Sequence, residues 1–454
     1  MSKLKKLLMF TVISVLSISL FSACSSNTNT SSKDKDDNPK PVVDITEKNV
    51  EITWWAFPTF KTVDGVVGKY EESLVAKFNE KYPNIKVKVE MIDFQNGPEK
   101  IATAIEGKTA PDVLFDAPGR IIDYGTSGKL VSLNDLYEET KLKSDITSEA
   151  ILEACSDGSN YWMYPTSAAP FVMAVSKTAL EKEGLLDKIN TTGDRTWTTE
   201  EFVEISKEMA KKGYKGVEIY AGGQGGDQGT RAFITNLTGA SIMNKEKNKY
   251  VMDSEEGKAA YQLVKQGVDE GWLTPNTQGV ANDALDHFTT PVNATFWAVN
   301  LWSPNLAAAR ASQLEESNIE VIAMSLPAKD GKPSLEYLVN GYCIFDNKDA
   351  DKIEASKLFV KFLSDDEVVG KETVLAAKCF PVRKSFGDLY AGDEDMNYYA
   401  SVAKYYGQYY NSVPGFATMR PFWWGSLQAM LIGDKTPEEA AKYFVDNANP
   451  TLEE

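Results

Sequence analysis

Histidine is nearly missing from this chain: 454 residues contain one, His287. That argues against a histidine-based catalytic triad, and His287 stands in no metal-ligand spacing. Cysteine is scarce too, with four in all: Cys24, Cys155, Cys343 and Cys379. With Cys24 set aside for a reason given below, an odd number remains at wide spacing. That is neither a disulfide framework nor a zinc knuckle, and buried free thiols are expected. Positive charge is in deficit: 48 Lys and Arg face 65 Asp and Glu, for a net charge of −17. An acidic surface argues against nucleic acid and anionic lipid as partners and says little about a small neutral ligand. Beyond the first two dozen residues no run is apolar enough to span a membrane, and no internal repeat is visible.

The N-terminus holds the one long apolar run. Lys3, Lys5 and Lys6 precede residues 7–21, which are interrupted by Thr11, Ser14, Ser17 and Ser19. A spanning helix needs about 20 apolar residues, so this run has the length and flanks of a secretory signal. Phe21-Ser22-Ala23-Cys24 closes it and resembles a bacterial lipoprotein cleavage site, with Phe21 where an aliphatic residue is usual. Residues 1–23 are therefore expected to be a signal peptide and Cys24 the lipidated first residue of the mature chain. Loss of the three lysines takes the net charge from −17 to −20. Residues 25–41 are Ser, Asn, Thr, Lys and Asp with almost nothing apolar, and they cannot bury a core. A disordered tether over residues 24–48 follows, leading to a soluble body outside the cytoplasm.

That body is long for one core, so two lobes are expected. Residues 51–57 read as a strand. Val67, Tyr70, Leu74 and Phe78 recur at helical spacing and stop before Pro83. Ile85, Val87, Val89 and Met91 alternate as a second strand, a short helix surrounds Ile101, Ala104 and Ile105, and residues 112–115 form a third strand. Alternating strands and helices give an α/β fold with a parallel sheet. Ligands of such sheets bind beyond the carboxyl ends of the strands, which points to the loops after Phe57 and after Phe115. Thr198 with Glu201 and Thr436 with Glu439 form capping boxes, the second with Pro437 at the first helical position. Ala355, Leu358, Phe359 and Phe362 mark another amphipathic helix.

Several motifs run in a telling order. Ile52-Thr53-Trp54-Trp55 is followed by Ala110-Pro111-Asp112-Val113 and by a stretch from Tyr124 through Leu130. Then come Tyr164-Pro165, Val175-Ser176-Lys177, Thr196-Trp197-Thr198, Leu326-Pro327, Asn340-Gly341 and Gly433-Asp434-Lys435-Thr436-Pro437. In this order they resemble the family 1 extracellular solute-binding proteins of carbohydrate ABC importers, over essentially the whole mature chain. The resemblance implies a periplasmic-binding-protein-like type II fold: two α/β lobes joined by a hinge, with the ligand cleft between them. Lobe 1 is expected over residues 49–163 and 330–377, and lobe 2 over 164–329 and 378–454. Crossings are expected near Tyr164-Pro165, near Pro327 to Pro333 and near Phe380-Pro381. The implied partners are a small carbohydrate and the permease subunits of an ABC transporter. A monomer is expected, with no cofactor and no metal.

A sugar offers hydroxyl edges and apolar CH faces, so its pocket needs stacking aromatics beside hydrogen-bonding side chains. Trp55 and Phe57 end the first strand, with Thr59 in its loop. Asp116 and Arg120 follow the third strand; in the maltose-binding members of the family an Asp and an Arg there hold sugar hydroxyls. Arg120 falls on the matching arginine, whereas Gly119 stands where the matching aspartate would be; the alternative is an Asp116–Arg120 salt bridge that caps a helix. Trp302 falls where the family places a pocket tryptophan after a strand, and Trp297 reads as strand core. Met419-Arg420-Pro421-Phe422-Trp423-Trp424 resembles the family's late stacking segment, with Trp423 on the ligand and Trp424 packed beneath it. Gly341, beside Tyr342 on the return strand, would let backbone approach a ligand. Residues 222–229 are glycine-rich without the Gly-Lys-Ser/Thr end of a phosphate loop, and read as a flexible solvated loop near the cleft. Asp227, Gln228 and Arg231 there are candidate polar contacts. Two other readings stay open. Arg120, Arg231 and Arg420 offer cations to a glycerol phosphate or other polyol phosphate. A secreted glycoside hydrolase would need two carboxylates at a set separation, and no motif marks such a pair.

Overall fold

A computed structural model describes residues 44–94, 96–292 and 295–453. The expected signal peptide, Cys24 and the tether up to residue 43 lie outside the described residues. Asp44 to Lys48, assigned to the tether, are docked. Asp44 caps a short turn over Ile45–Glu47, Asn84 donates to the Thr46 carbonyl, and Lys48 pairs with Asp351. No helix among the described residues is long and apolar enough to cross a membrane.

The chain begins with β1 (Val50–Ala56), α1 (Lys69–Lys81), β2 (Ile85–Met91), α2 (Gly97–Glu106), β3 (Val113–Asp116) and α3 (Pro118–Thr126). Shorter helices lead to β4 (Tyr164–Pro170) and β5 (Val172–Ser176). There follow α4 (Thr199–Lys211), β6 (Glu218–Tyr220), α5 (Gln228–Thr238), β7 (Thr274–Asn276), β8 (Ala298–Trp302) and β9 (Val321–Met324). The chain returns with β10 (Tyr337–Ile344), α6 (Ala350–Asp365) and β11 (Phe380–Pro381), and ends with α7 (Phe416–Leu431) and α8 (Pro437–Ala448).

The strands fall into separate sheets. The larger has the order β11-β4-β10-β3-β1-β2. Its β2, β1 and β3 are parallel, with Ile52 opposite Val87 and Trp54 opposite Val113, as crossover helices require. β10 then runs antiparallel between β3 and β4. The second lobe has β8-β5-β9, all antiparallel, and a parallel pair of β6 and β7. Each lobe has its own core. Ile52, Trp54, Phe78, Phe115, Tyr342 and Phe359 pack in the first; Val172, Phe202, Trp272, Trp297, Trp423 and Phe444 pack in the second. Cys155, Cys343 and Cys379 are free and buried.

Core membership shows where the chain passes between lobes. Tyr164 and Pro165 lie inside β4 of the first sheet, so the first passage is at Phe171, between β4 and β5, later than expected. Leu335 is still in the second core and Tyr337 is in the first, which puts the second passage at Glu336. The two passages touch, the Phe171 N–H donating to the Glu336 carbonyl at 2.9 Å. Phe380 and Pro381 pair with β4, so the third passage follows Val382. Sequence reading missed a further bridge. Tyr409 belongs to the first core and Tyr410 to the second, and Tyr406 stacks on Tyr337 at 4.1 Å.

Candidate functional site

The carboxyl ends of β1, β2 and β3 gather one group of side chains. Asp116, the last residue of β3, is buried and accepts from the Ala117 N–H at 2.7 Å. One helical turn on, Arg120 grips it with two bonds: Nε donates to Oδ2 at 2.7 Å and Nη2 to Oδ1 at 2.6 Å. Burial works against the charge on Arg120, but Asp116 outweighs it and holds the guanidinium above its ordinary value. The guanidinium carbon lies 4.9 Å from the ring centre of Phe57, just past β1. Phe57 is itself buried and stacks nearly parallel on Phe94, with centres 4.9 Å apart and planes 9° apart. Trp55 is nearly buried, with Lys100, paired with Glu90, 4.6 Å from its ring centre. Thr59 donates its backbone N–H to the Phe57 carbonyl at 2.8 Å, which folds the loop back on the strand.

The amino end of α3 meets the second lobe. A Cβ placed on Gly119 would lie 3.0 Å from the Asn411 carbonyl and 3.7 Å from Phe416. An aspartate at this position would need the facing segment to give by a few tenths of an ångström.

On the second lobe, the expected solvated loop exposes Gly222, Gln224 and Gly225, but its end from Asp227 is buried. The Tyr220 hydroxyl donates to the Gly226 carbonyl at 2.9 Å, and a Cβ on Gly222 would fall 2.1 Å from the Gln278 carbonyl. Asp227 and Arg231 are each at most 2% exposed, and Gln228, which opens α5, is half-buried. Burial this deep needs compensation. Asp227 accepts from Arg420 Nε at 2.9 Å and Nη2 at 2.7 Å, and Arg231 Nη1 lies 2.8 Å away without hydrogen-bond alignment. Arg231 Nε donates to the Tyr410 hydroxyl at 2.7 Å and, more loosely, to Glu336 at 3.3 Å; Tyr410 in turn donates to Glu336. Burial opposes ionisation of Asp227, yet Arg231 and Arg420 hold its carboxyl below the usual range; at Glu336 burial dominates and pushes the carboxyl up. Two guanidiniums and two carboxylates thus form one buried cluster, with Phe416 5.4 Å from Arg231 and 5.8 Å from Arg420. Beside it opens a cavity of about 650 Å³ lined by Asn236, Lys329, Ser334, Glu336, Gln408 and Tyr410, among others.

Other expected contacts lie in the cores. Trp423 is fully buried, donates Nε1 to the Thr230 hydroxyl at 3.1 Å, and meets Tyr261 and Phe444 edge to face. Trp424, expected beneath it, is the more exposed of the two. Trp302 is 2% exposed and packs edge-on to Phe288, while Trp297 lies in the core as expected. Tyr342 packs between Trp54 and Phe115. A Cβ on Gly341 would fall 2.3 Å from the Tyr164 carbonyl, so this glycine admits β4 rather than a ligand. The structure therefore brings together Phe57, Asp116 and Arg120 on one side and Asp227, Arg231 and Arg420 on the other. Phe94, Glu336 and Tyr410 were not anticipated. Phe94 follows β2, and the rule that singled out the other strand ends applies equally there; Glu336 and Tyr410 carry no local signal.

Comparison with known proteins bears on this geometry. A family model described as bacterial extracellular solute-binding protein matches residues 63–369. An uncharacterized lipoprotein from the oleD 5′ region of Streptomyces antibioticus is 27% identical over 146 residues, which is 32% of this chain and 31% of that protein. An ABC transporter solute-binding protein of Thermotoga lettingae TMO, bound with alpha-D-tagatose, superimposes with a TM-score of 0.72 at 20% identity, covering 88% of this chain and 99% of that one. The Listeria monocytogenes substrate-binding protein Lmo0181, in complex with cycloalternan, gives 0.70 at 20% identity over 89% and 100%. At such identity the likeness establishes the two-lobed fold.

Proposed function

The chain belongs to the bacterial extracellular solute-binding protein family, and from that premise we propose that it captures a neutral carbohydrate outside the cytoplasm and delivers it to an ABC permease. The observation that carries the choice of solute is charge pairing. Arg120 is held by Asp116; Arg231 and Arg420 are held by Asp227 and Glu336. Each candidate cation for a phosphate ester is already matched by a carboxylate, and the two groups are each neutral in sum. A dianionic phosphate brought to them would lose its hydration and meet carboxylates as well as guanidiniums. Sugar hydroxyls both donate and accept, and they suit paired groups whose outer lone pairs and N–H bonds remain. The solutes bound in the two solved structures, tagatose and cycloalternan, are likewise uncharged.

Lipid attachment at Cys24 would keep the loaded protein beside its permease; a Cys24→Ala protein retained on membranes at wild-type level would refute that part. The main test is a thermal-shift screen over mono- and oligosaccharides, polyols and glycerol 3-phosphate. A ligand that binds only the folded state raises the midpoint in step with ln(1 + [L]/Kd). Uncharged sugars are expected to raise it and glycerol 3-phosphate to leave it unmoved. Stabilisation by the phosphate ester alone would replace this reading with the polyol phosphate one. Cleavage of an oligosaccharide during incubation would replace it with the hydrolase.

A further inference from the structure

We propose that Phe94 is the aromatic platform of the first lobe and that the solute it receives is a ring-form sugar rather than an acyclic polyol, an inference that rests on the carbohydrate reading above. Several aromatic residues expected to stack on a sugar are already occupied. Trp423 and Trp302 are in the second core, and Trp55 is nearly buried beside Lys100. Phe94 is different. It is 57% exposed, and it is the only aromatic among the large hydrophobic side chains left exposed in the described residues.

Its surroundings fit a binding platform. Phe94 lies three residues past the end of β2, at the carboxyl edge of the parallel strands where ligands of such sheets bind. Parallel stacking on Phe57 restrains the orientation of its ring. Phe57 is buried and packs closely on Gly97, where a Cβ would lie 2.7 Å from its ring. On either side of the adjoining turn, the Asn96 N–H donates to Asp93 at 2.7 Å. A ring held this way loses little freedom when a ligand covers it. Arg120, held by Asp116, lies over the same Phe57 with its guanidinium carbon 4.9 Å from the ring centre, so Phe57 joins the apolar ring of Phe94 to a polar group at the end of β3. That pairing suits a pyranose, whose axial hydrogens form a flat apolar face. An acyclic polyol has no such face, and it also loses torsional freedom on binding.

The test is calorimetry on the whole chain with glucose, maltose, maltotriose, ribitol and sorbitol as probes. The wild-type protein is expected to bind at least one ring sugar and neither polyol. Phe94→Ala is expected to weaken that sugar about tenfold or more, in the range for loss of an aromatic anchor, and Phe94→Trp to hold it within about threefold. Both variants should keep the unliganded circular dichroism spectrum, since the side chain is exposed. An unchanged Kd in Phe94→Ala, for a sugar the wild type binds, would overturn the platform and leave the carbohydrate reading standing. Unchanged binding with reduced uptake would likewise overturn it and assign Phe94 to an importer contact. A polyol bound as tightly as any sugar would overturn the ring preference. A wild-type protein that binds no carbohydrate would overturn both readings.

Discussion

The two adjacent indoles Trp423 and Trp424 have the same chemistry and opposite surroundings. Consecutive helical positions differ by about 100°, so one faces the lobe while the other turns away, and the phase is set by what α7 packs against. Trp423 takes the inner position, between Tyr261 and Phe444, with its N–H given to Thr230. Trp423→Ala should therefore act on stability, by about 3–5 kcal/mol for the lost indole and the cavity it leaves. Urea denaturation followed by far-ultraviolet circular dichroism measures this. A wild-type midpoint together with lost sugar affinity would return the indole to the cleft. The arginines carry a similar lesson. Arg420 and Asp227 are 193 residues apart, and nothing near either one announces the other. Read locally they were free polar groups on a solvated loop and a helix; paired, they make a buried neutral cluster.

Elements whose cues lie within a few residues were legible. β2 has the bounds its alternation implies, Ile85–Met91, and β1 and β3 differ from expectation by one residue at each end. Both capping boxes form, Thr198 accepting from the Glu201 N–H and Thr436 from the Glu439 N–H, each at 3.2 Å. α3 shows where such cues run out. Its amino end meets Asn411 and Phe416 across the lobes, and Asp123, on its later half, is close enough to Tyr250 of the second lobe to act on it electrostatically. Burial pushes the Asp123 carboxyl up to about 6. The folded state therefore prefers the proton. Stability from this group is complete below about pH 4, where the unfolded carboxyl is also protonated, and is lost as pH rises through about 6. Asp123→Asn should remove that decline and stabilise the protein at pH 7 by on the order of 2 kcal/mol. Thermal midpoints of the two proteins from pH 4 to 8 provide the comparison; parallel curves would show that the carboxyl is solvated.

For the whole molecule, the passages at Phe171 and Glu336 are hydrogen-bonded side by side, and the segment from Tyr406 to Tyr410 spans both cores beside them. Such a narrow joint between two independent cores permits hinge motion. A solute that touches Phe94, Asp116 and Arg120 on one lobe and the Arg231 cluster on the other would favour the closed form, because only there does it make both sets of contacts. The radius of gyration from small-angle scattering should fall when a bound sugar saturates the protein; no change at saturation would mean a preformed pocket. The sequence by itself determined the order of the first strands and helices, the parallel pairing of β1, β2 and β3, and the kinship with solute-binding proteins. Those follow from period, caps and short motifs, which act over a few residues. The tertiary structure alone decided which aromatics face solvent, that Arg231 meets Glu336 and Arg420 meets Asp227, and where the chain changes lobes. Each of those depends on a partner scores or hundreds of residues away, and on the phase at which two elements meet.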